Sequence, residues 1–247
     1  MIDKPKKENL FLILTSFFTV LVILSNLLAV KLVKVPFFEE IALPAGLLIF
    51  PITFLIADLV TEIFGSNKAR MMVYLAFGLS LFASAILHLS VMIPPHPAWV
   101  SPLNPFGFES SVEYQHAYRS VFGLTGITVL SSMAAYVLSQ ILDIHLFQFF
   151  KQLTGERHLW FRNIASTLTS QIIDTLVVNI LLLYCGLKLE LNTVIKICLL
   201  CYLYKAVFTV ANIPLFYTAV WASKRYLGEG PKESVFLRKL RWKTSYT

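Results

Sequence analysis

Residues 163–187 read NIASTLTSQIIDTLVVNILLLYCGL, running from Asn163 to Leu187 with Asp174 as the single charge before Lys188. About 20 predominantly apolar residues suffice for a helix to cross a bilayer, so the stretch is long enough to span one. A lone carboxylate near the middle of such a helix costs roughly 2.5–3.5 kcal/mol, and it usually faces a partner, a cavity or a substrate. Asp58, Asp143 and Lys205 interrupt apolar runs in the same way. Together the four residues outline a polar path through a membrane protein.

The composition agrees with that class. The 247-residue chain is 57% hydrophobic and 14% charged, against about 25% charged in a soluble domain, and its mean hydropathy is +0.70. Apolar length predicts spans at 10–30, 41–64, 71–93, 120–150, 163–187 and 194–223. The expected fold is an all-α integral membrane protein, a single membrane domain built as a bundle of six transmembrane helices. No room is left for a soluble domain of ordinary size. The net charge of +7 follows from where the basic residues lie. Fifteen Lys and Arg fall in the N-terminal tail, the second and fourth connections and the C-terminal tail 224–247, against five on the other side. That bias places both termini in the cytoplasm.

Other readings of the charge and of special residues are weaker. Lys4, Lys6 and Lys7 precede the first apolar run as in a signal peptide, but Ser25, Asn26 and Lys31 do not form a small-x-small cleavage site, so a retained helix is expected. The basic tail with Arg238, Lys239, Arg241 and Lys243 suits the anionic inner leaflet and its lipids, or disorder. It lacks the aromatic interleaving of a nucleic-acid binder, so no direct nucleic-acid partner is expected. Cys198 and Cys201 have the spacing of a redox or zinc pair, but in an apolar helix they read as small packing residues, like Cys185 nearby. The five histidines show no ligand spacing, so neither a metal nor a cofactor is expected. The long connection from Pro94 to Tyr118 is rich in proline and aromatic residues and reads as an interfacial loop or a lid.

Helical spacing organises the remaining polar residues. Asn163, Thr167, Ser170 and Asp174 fall at i, i+4, i+7 and i+11, one stripe on one face, with Gln171 beside it. The fourth span repeats the offsets with Ser132, Tyr136, Ser139 and Asp143, flanked by Gln140. Consecutive helices run antiparallel, so the two Gln/Asp pairs approach one another. The sixth span carries Tyr202, Lys205, Thr209 and Asn212 on one face, and the first carries Thr15, Thr19 and Asn26. The second offers Asp58, Thr61 and Glu62, while the third has only Ser80, Ser84 and His88 and is expected at the periphery. The bland alternative is helix packing, in which such side chains contribute about 0.6 kcal/mol each. A structural salt bridge from Lys205 to Asp143 or Asp174 is one such alternative. Another sets Asp58 and Glu62 as cytoplasmic-end anchors answering Lys68 and Arg70.

Carboxylates and amides on converging faces accept hydrogen bonds from paired N–H donors, and aromatic side chains supply flat walls. A purine-like base presents that combination, although the pattern alone does not choose among nucleobases, amines and vitamins. The chain does resemble a known family in the string Phe50-Pro51-x-x-Phe54-Leu55-x-x-Asp58-Leu59-x-Thr61-Glu62-Ile63-Phe64-Gly65 followed by Ala69-Arg70. Further matches are Ser25-Asn26, Ala135-Tyr136-x-Leu138-x-Gln140-Ile141-Leu142-Asp143, and Trp160-x-Arg162-Asn163 with Ser166-Thr167. The likeness ends with Gln171-x-x-Asp174-Thr175, Tyr204-Lys205 and Pro214. These motifs, spread over about residues 25–215, are similar to the queuosine precursor transporters, also called the vitamin uptake transporter family. The resemblance implies a bacterial inner-membrane importer of 7-deazaguanine bases such as 7-cyano-7-deazaguanine, 7-aminomethyl-7-deazaguanine or queuine, which feed transfer RNA modification. At the matching positions we assign Asp174, Gln171, Asp143 and Gln140 to the N–H-rich edge of the base, and Lys205 or Asn212 to its carbonyl oxygen or to charge balance. Asn26 and Asp58 are further candidates.

Two alternatives stay open. No glycine-rich P-loop is present, and the first helix lacks the Ala-x-x-x-Ala pattern by which substrate-binding subunits of energy-coupling-factor transporters dock, Ser25-x-x-x-Ala29 being a poor substitute. A stand-alone facilitator or proton-linked carrier is therefore expected ahead of such a subunit. An intramembrane hydrolase using Asp143 and Asp174 lacks both the Gly-x-Gly-Asp and the Gly-x-Ser-Gly strings, so the chain is not expected to be an enzyme.

Overall fold

The computed structural model describes residues 4–28, 31–35, 38–99, 107–108, 110–123, 126–155, 158–181, 184, 188 and 190–228. Cys185, the stretch 101–106 and the basic tail from 229 onward lie outside the described residues, and so does the side chain of Ser132. In chain order the elements are α1 (Lys4–Leu28), a hairpin of β1 (Leu32–Val35) and β2 (Phe38–Pro44), α2 (Phe50–Phe64) and α3 (Ser66–Met92). Then come α4 (Ser111–Phe122), α5 (Gly126–Thr154), α6 (Leu159–Asn179), α7 (Leu191–Ala211) and α8 (Ile213–Tyr226).

Five stretches among the described residues are helices long and apolar enough to cross a membrane: Pro5–Leu28, Ala45–Phe64, Ser66–Met92, Met133–Thr154 and Leu191–Ala211. α6 is not among them, because it carries Arg162, Asn163, Ser166, Thr167, Ser170, Gln171, Asp174 and Thr175, all buried. The bundle is apolar outside and polar inside. Leu12, Ile13 and Phe17 of α1, Phe82 and Leu89 of α3 and Val207 of α7 are exposed, whereas Asp58, Gln140 and Asp143 are fully buried. That inversion suits lipid as the surrounding solvent, where backbone groups are satisfied within helices.

Several expected boundaries move, each for a proline or glycine reason. The second span does not begin as a helix at Ile41. Residues 38–44 pair antiparallel with 32–35 in the register Leu32↔Pro44 and Val33↔Leu43. Pro44 holds Leu43 extended, and regular helix starts only at Phe50, just before Pro51. The fourth span begins at Gly126 rather than Ser120, and residues 111–122 form the separate helix α4. Within the expected interfacial loop, Ser110 caps α4 by accepting from the Glu113 backbone N–H at 3.1 Å. Tyr118 and Gln115 of α4 then bond Ser90 and the Val91 carbonyl at 2.9 and 2.8 Å. The sixth span divides at Asn212 into α7 and α8, since Pro214 has no N–H and its ring crowds the carbonyl of Val210. As expected, α3 lies at the edge of the bundle with Met71, Tyr74, Phe82 and Leu89 exposed, although it packs against α1, α2 and α5 and buries Ser80.

Small residues allow close helix approach, as Ala57, Ala69, Ala76 and Ala135 lie at the packed faces. Phe11, Phe18, Val22, Ile56, Met72 and Ile144 fill one cluster among α1, α2, α3 and α5. Leu55, Leu59, Phe147, Phe216 and Val220 fill another among α2, α5 and α8. Gly65, at φ +86°, makes the turn between α2 and α3 that a residue with a Cβ adopts only with strain.

One end of the bundle closes on Glu62. Its Oε2 lies 2.8 Å from Lys151 Nζ and 3.1 Å from Arg162 Nη2, and its Oε1 lies 3.8 Å from Lys224 Nζ. Arg162 is buried, donates to the Gly155 carbonyl at 2.8 Å and covers the Phe147 ring. Glu62 therefore joins the ends of α2, α5, α6 and α8 and does not answer Lys68 or Arg70. Lys68 instead lies over Phe11, and Arg70 bonds Asn67. Lys7 of α1 lies over Phe64 at the same end. Replacing Glu62 with Ala leaves the buried Arg162 charge uncompensated, so the expected loss is about 3–5 kcal/mol. Thermal unfolding of the detergent-solubilised protein measures it, and an unchanged midpoint contradicts the role of this node.

Candidate functional site

α6 is the spine of the polar interior, and each of its buried side chains meets a different neighbour. Nearest the Glu62 end, Asp58 of α2 is fully buried. Its Oδ2 accepts from Asn163 Nδ2 and, at 3.4 Å, from Thr167 Oγ1. Asp143 of α5 faces the same space, with Ser170 Oγ donating to its Oδ1 at 3.2 Å. Asp58 and Asp143 thus meet the same turn of α6, at Thr167 and Ser170. Ser139 of α5 in turn donates to the Ser170 carbonyl at 3.2 Å, which locks the antiparallel α5–α6 register.

One turn further along α6, Lys205 of α7 reaches Asp174. Its Nζ lies 2.6 Å from Asp174 Oδ2 and donates to Thr175 Oγ1 at 3.1 Å. The ammonium also sits 4.6 Å from the centre of the Phe50 ring, a cation–π contact that compensates part of its lost hydration. Phe50 meets Phe54 at 5.0 Å and Tyr136 at 5.4 Å between ring centroids, while Phe54 meets Tyr136 edge-on at 6.3 Å. Tyr136 Oη accepts from Gln140 Nε2 at 2.9 Å. The contacts thus run from Asp174 through Lys205, Phe50 and Tyr136 to Gln140, linking α6, α7, α2 and α5 around one space.

That space is rich in acceptors that have nothing to accept. Gln140 Oε1, Gln171 Oε1 and Asp174 Oδ1 are buried and have no hydrogen-bond donor among the described residues. Leaving such groups unmatched costs about 1–3 kcal/mol each. A ligand that brings N–H donors offsets that cost. Gln171 also lines a partly open cleft together with Phe54, Asn163, Thr167, Thr209 and Asn212.

The structure therefore brings seven of the eight residues assigned from sequence into one connected interior. Asp174, Gln171, Gln140 and Lys205 form the part nearest the aromatic wall, Asp58 and Asp143 the part nearest Glu62, and Asn212 the α7–α8 break. Asn26 is elsewhere, donating to Ser80 of α3 at 3.0 Å on the α1–α3 face. Sequence reasoning did not single out Thr175, or Phe50, Phe54 and Tyr136 as one wall. The signal available was the i, i+4 spacing of Phe50 and Phe54, which sets both rings on one face. Cys198 packs its thiol against the Thr175 carbonyl at 3.9 Å.

Comparison with known proteins adds the family. The "Putative vitamin uptake transporter" family model matches residues 44–219, more than half of the chain. A relative from Bacillus subtilis (strain 168), named "Probable queuosine precursor transporter", is 26% identical over 133 residues, covering 53% of this chain and 52% of that protein. One from Escherichia coli (strain K12), named "Queuosine precursor transporter", is 28% identical over 137 residues, covering 53% and 51%. The chain thus spans about half the length of the curated relatives it matches. No solved structure matches it. The matched region contains every element of the polar interior from Phe50 to Asn212, and the chain belongs to the vitamin uptake transporter family.

Proposed function

We propose that the chain imports a queuosine precursor, a 7-deazaguanine base, across the bacterial inner membrane for transfer RNA modification. The observation that carries this reading is the set of buried acceptors without donors, Gln140 Oε1, Gln171 Oε1 and Asp174 Oδ1, beside the wall of Phe50, Phe54 and Tyr136. A 7-deazaguanine offers a ring N–H, an exocyclic amine and a pyrrole N–H on a flat frame, which is the complementary pattern. The names of the two curated relatives support the same substrate class. Lys205 and Asn212 are the donors we assign to its carbonyl oxygen.

In this reading α6 is the sixth crossing. Its polar face is covered by α2, α5 and α7, so its low hydropathy does not keep it out of the bilayer. Six crossings place both chain ends on one side, in agreement with Lys7 of α1 and Lys224 of α8 both lying near the Glu62 end. The excess of Lys and Arg assigns that side to the cytoplasm. As it stands the cleft admits little more than a single water molecule, so a base enters only when it widens. The α7–α8 break at Asn212 is the joint whose movement widens it.

Supplying each candidate base to a precursor-auxotrophic, transporter-deficient bacterium that expresses this chain should restore queuosine in transfer RNA. Failure with every base rejects the reading. Asp174→Asn removes a charge-assisted acceptor worth about 1.5–3 kcal/mol, so uptake per folded molecule should fall at least about tenfold. Normal uptake takes Asp174 out of the binding site. Lys205→Met strands a buried carboxylate, and the amount of folded protein should drop, since breaking such a pair costs about 3–5 kcal/mol. Combining it with Asp174→Asn should recover the protein level but not the uptake, as measured by membrane quantitation beside radiolabelled-base transport.

A further inference from the structure

Below the base site lies a feature that base recognition does not use. Asp58 and Asp143 are both fully buried, come from different helices and meet the same turn of α6, at Thr167 and Ser170. One oxygen of each is satisfied, Asp58 Oδ2 by Asn163 and Thr167 and Asp143 Oδ1 by Ser170. The other oxygen of each, Asp58 Oδ1 and Asp143 Oδ2, is buried with no donor among the described residues. Two carboxylates gathered on one helix turn cannot both stay ionised away from water, and a shared proton satisfies both orphaned oxygens at once.

Among the described residues no cation is bonded to either carboxyl to take the place of that proton. Arg162 of α6, Lys151 of α5 and Lys224 of α8 are held by Glu62, one turn along α2 from Asp58. Lys205 of α7 is held by Asp174 of α6. Tyr136 of α5 is bonded to Gln140. α1 contributes Lys7, and α3 contributes Lys68, which lie over Phe64 and Phe11 near the α2–α3 turn, while Arg70 of α3 bonds Asn67.

We propose that Asp58 and Asp143 form a proton-binding site that holds one exchangeable proton between them and couples base import to the proton gradient. The pair stands between the base site and the Glu62 end, and Thr167 and Ser170 of α6 bridge the two levels. Ser170 bonds Asp143, and Thr167 both bonds Asp58 and lines the cleft together with Gln171. A proton bound there and a base bound above it therefore act on the same face of α6. Loss of the proton toward the cytoplasm leaves two facing carboxylates, which repel and open the α2–α5 contact.

The coupling half of this inference rests on the import reading, but the proton itself does not, and the experiment separates them. Infrared spectroscopy of the purified, base-free protein at neutral pH should show a buried protonated carboxyl band that is lost in both Asp58→Asn and Asp143→Asn and retained in Asp174→Asn. Size-exclusion profiles establish that each variant is folded, with Asp58→Glu, which keeps the carboxyl, retaining the band. In proteoliposomes, wild-type 7-deazaguanine uptake should rise severalfold with an inward proton gradient. In either Asn variant the ratio with and without the gradient should fall to one. Absence of the band from the wild type, its persistence in both Asn variants, or a gradient effect that survives them overturns the proposal. A wild type that shows the band but moves no base rejects the import reading and the coupling, and leaves the proton site standing.

Discussion

The ion pair between Lys205 and Asp174 is the interaction on which the interior depends. Either charge alone inside a bilayer is costly, and the two together are tolerable only in close contact with further polar support. Their 2.6 Å contact, the Thr175 hydroxyl and the Phe50 ring provide it. The pair ties α7 to α6 at a fixed depth and leaves one Asp174 oxygen turned away from the lysine. That oxygen, with the free carbonyls of Gln140 and Gln171, gives the interior buried acceptors that a neutral packing seam lacks.

A second charge cluster sets the other boundary. Glu62 collects the ends of four helices through Lys151, Arg162 and Lys224, so the polar interior is closed where it approaches that face. Between the two clusters lies a ladder of hydroxyls and amides on one face of α6, beginning at Asn163 and ending at Thr175. Hydroxyl ladders of this kind contribute modestly to stability. Within this ladder Thr167 and Ser170 also hold the Asp58 and Asp143 carboxyls.

Much of this was legible in the chain. The stripe from Asn163 to Asp174 and its echo in Ser139, Gln140 and Asp143 place those residues on facing helix sides, because a 3.6-residue period leaves little freedom within an apolar run. The membrane class and the approximate spans followed from apolar length. Hydropathy is blind to backbone chemistry, however. Summing apolar residues across Pro44 and Pro214 yields continuous spans, whereas a missing N–H and a ring clash produce the hairpin and the α7–α8 break. Partner choice was equally hidden. Lys68 and Arg70 are the nearest cations to Glu62 in the chain, yet Lys151, Arg162 and Lys224 reach it because helix packing, not sequence distance, decides which charges meet. Asn26 has the spacing of a stripe residue but faces Ser80, since the rotation of α1 is fixed by Phe11, Phe18 and Val22.

The central claim is that acceptors on α5 and α6 read the donor edge of a flat base. The direct measurement is the affinity of the purified protein for 7-cyano-7-deazaguanine beside the same base lacking its exocyclic amine. The account predicts that loss of the amine weakens binding by at least about tenfold, because a buried acceptor is again left unmatched. Equal affinities for the two bases would contradict it.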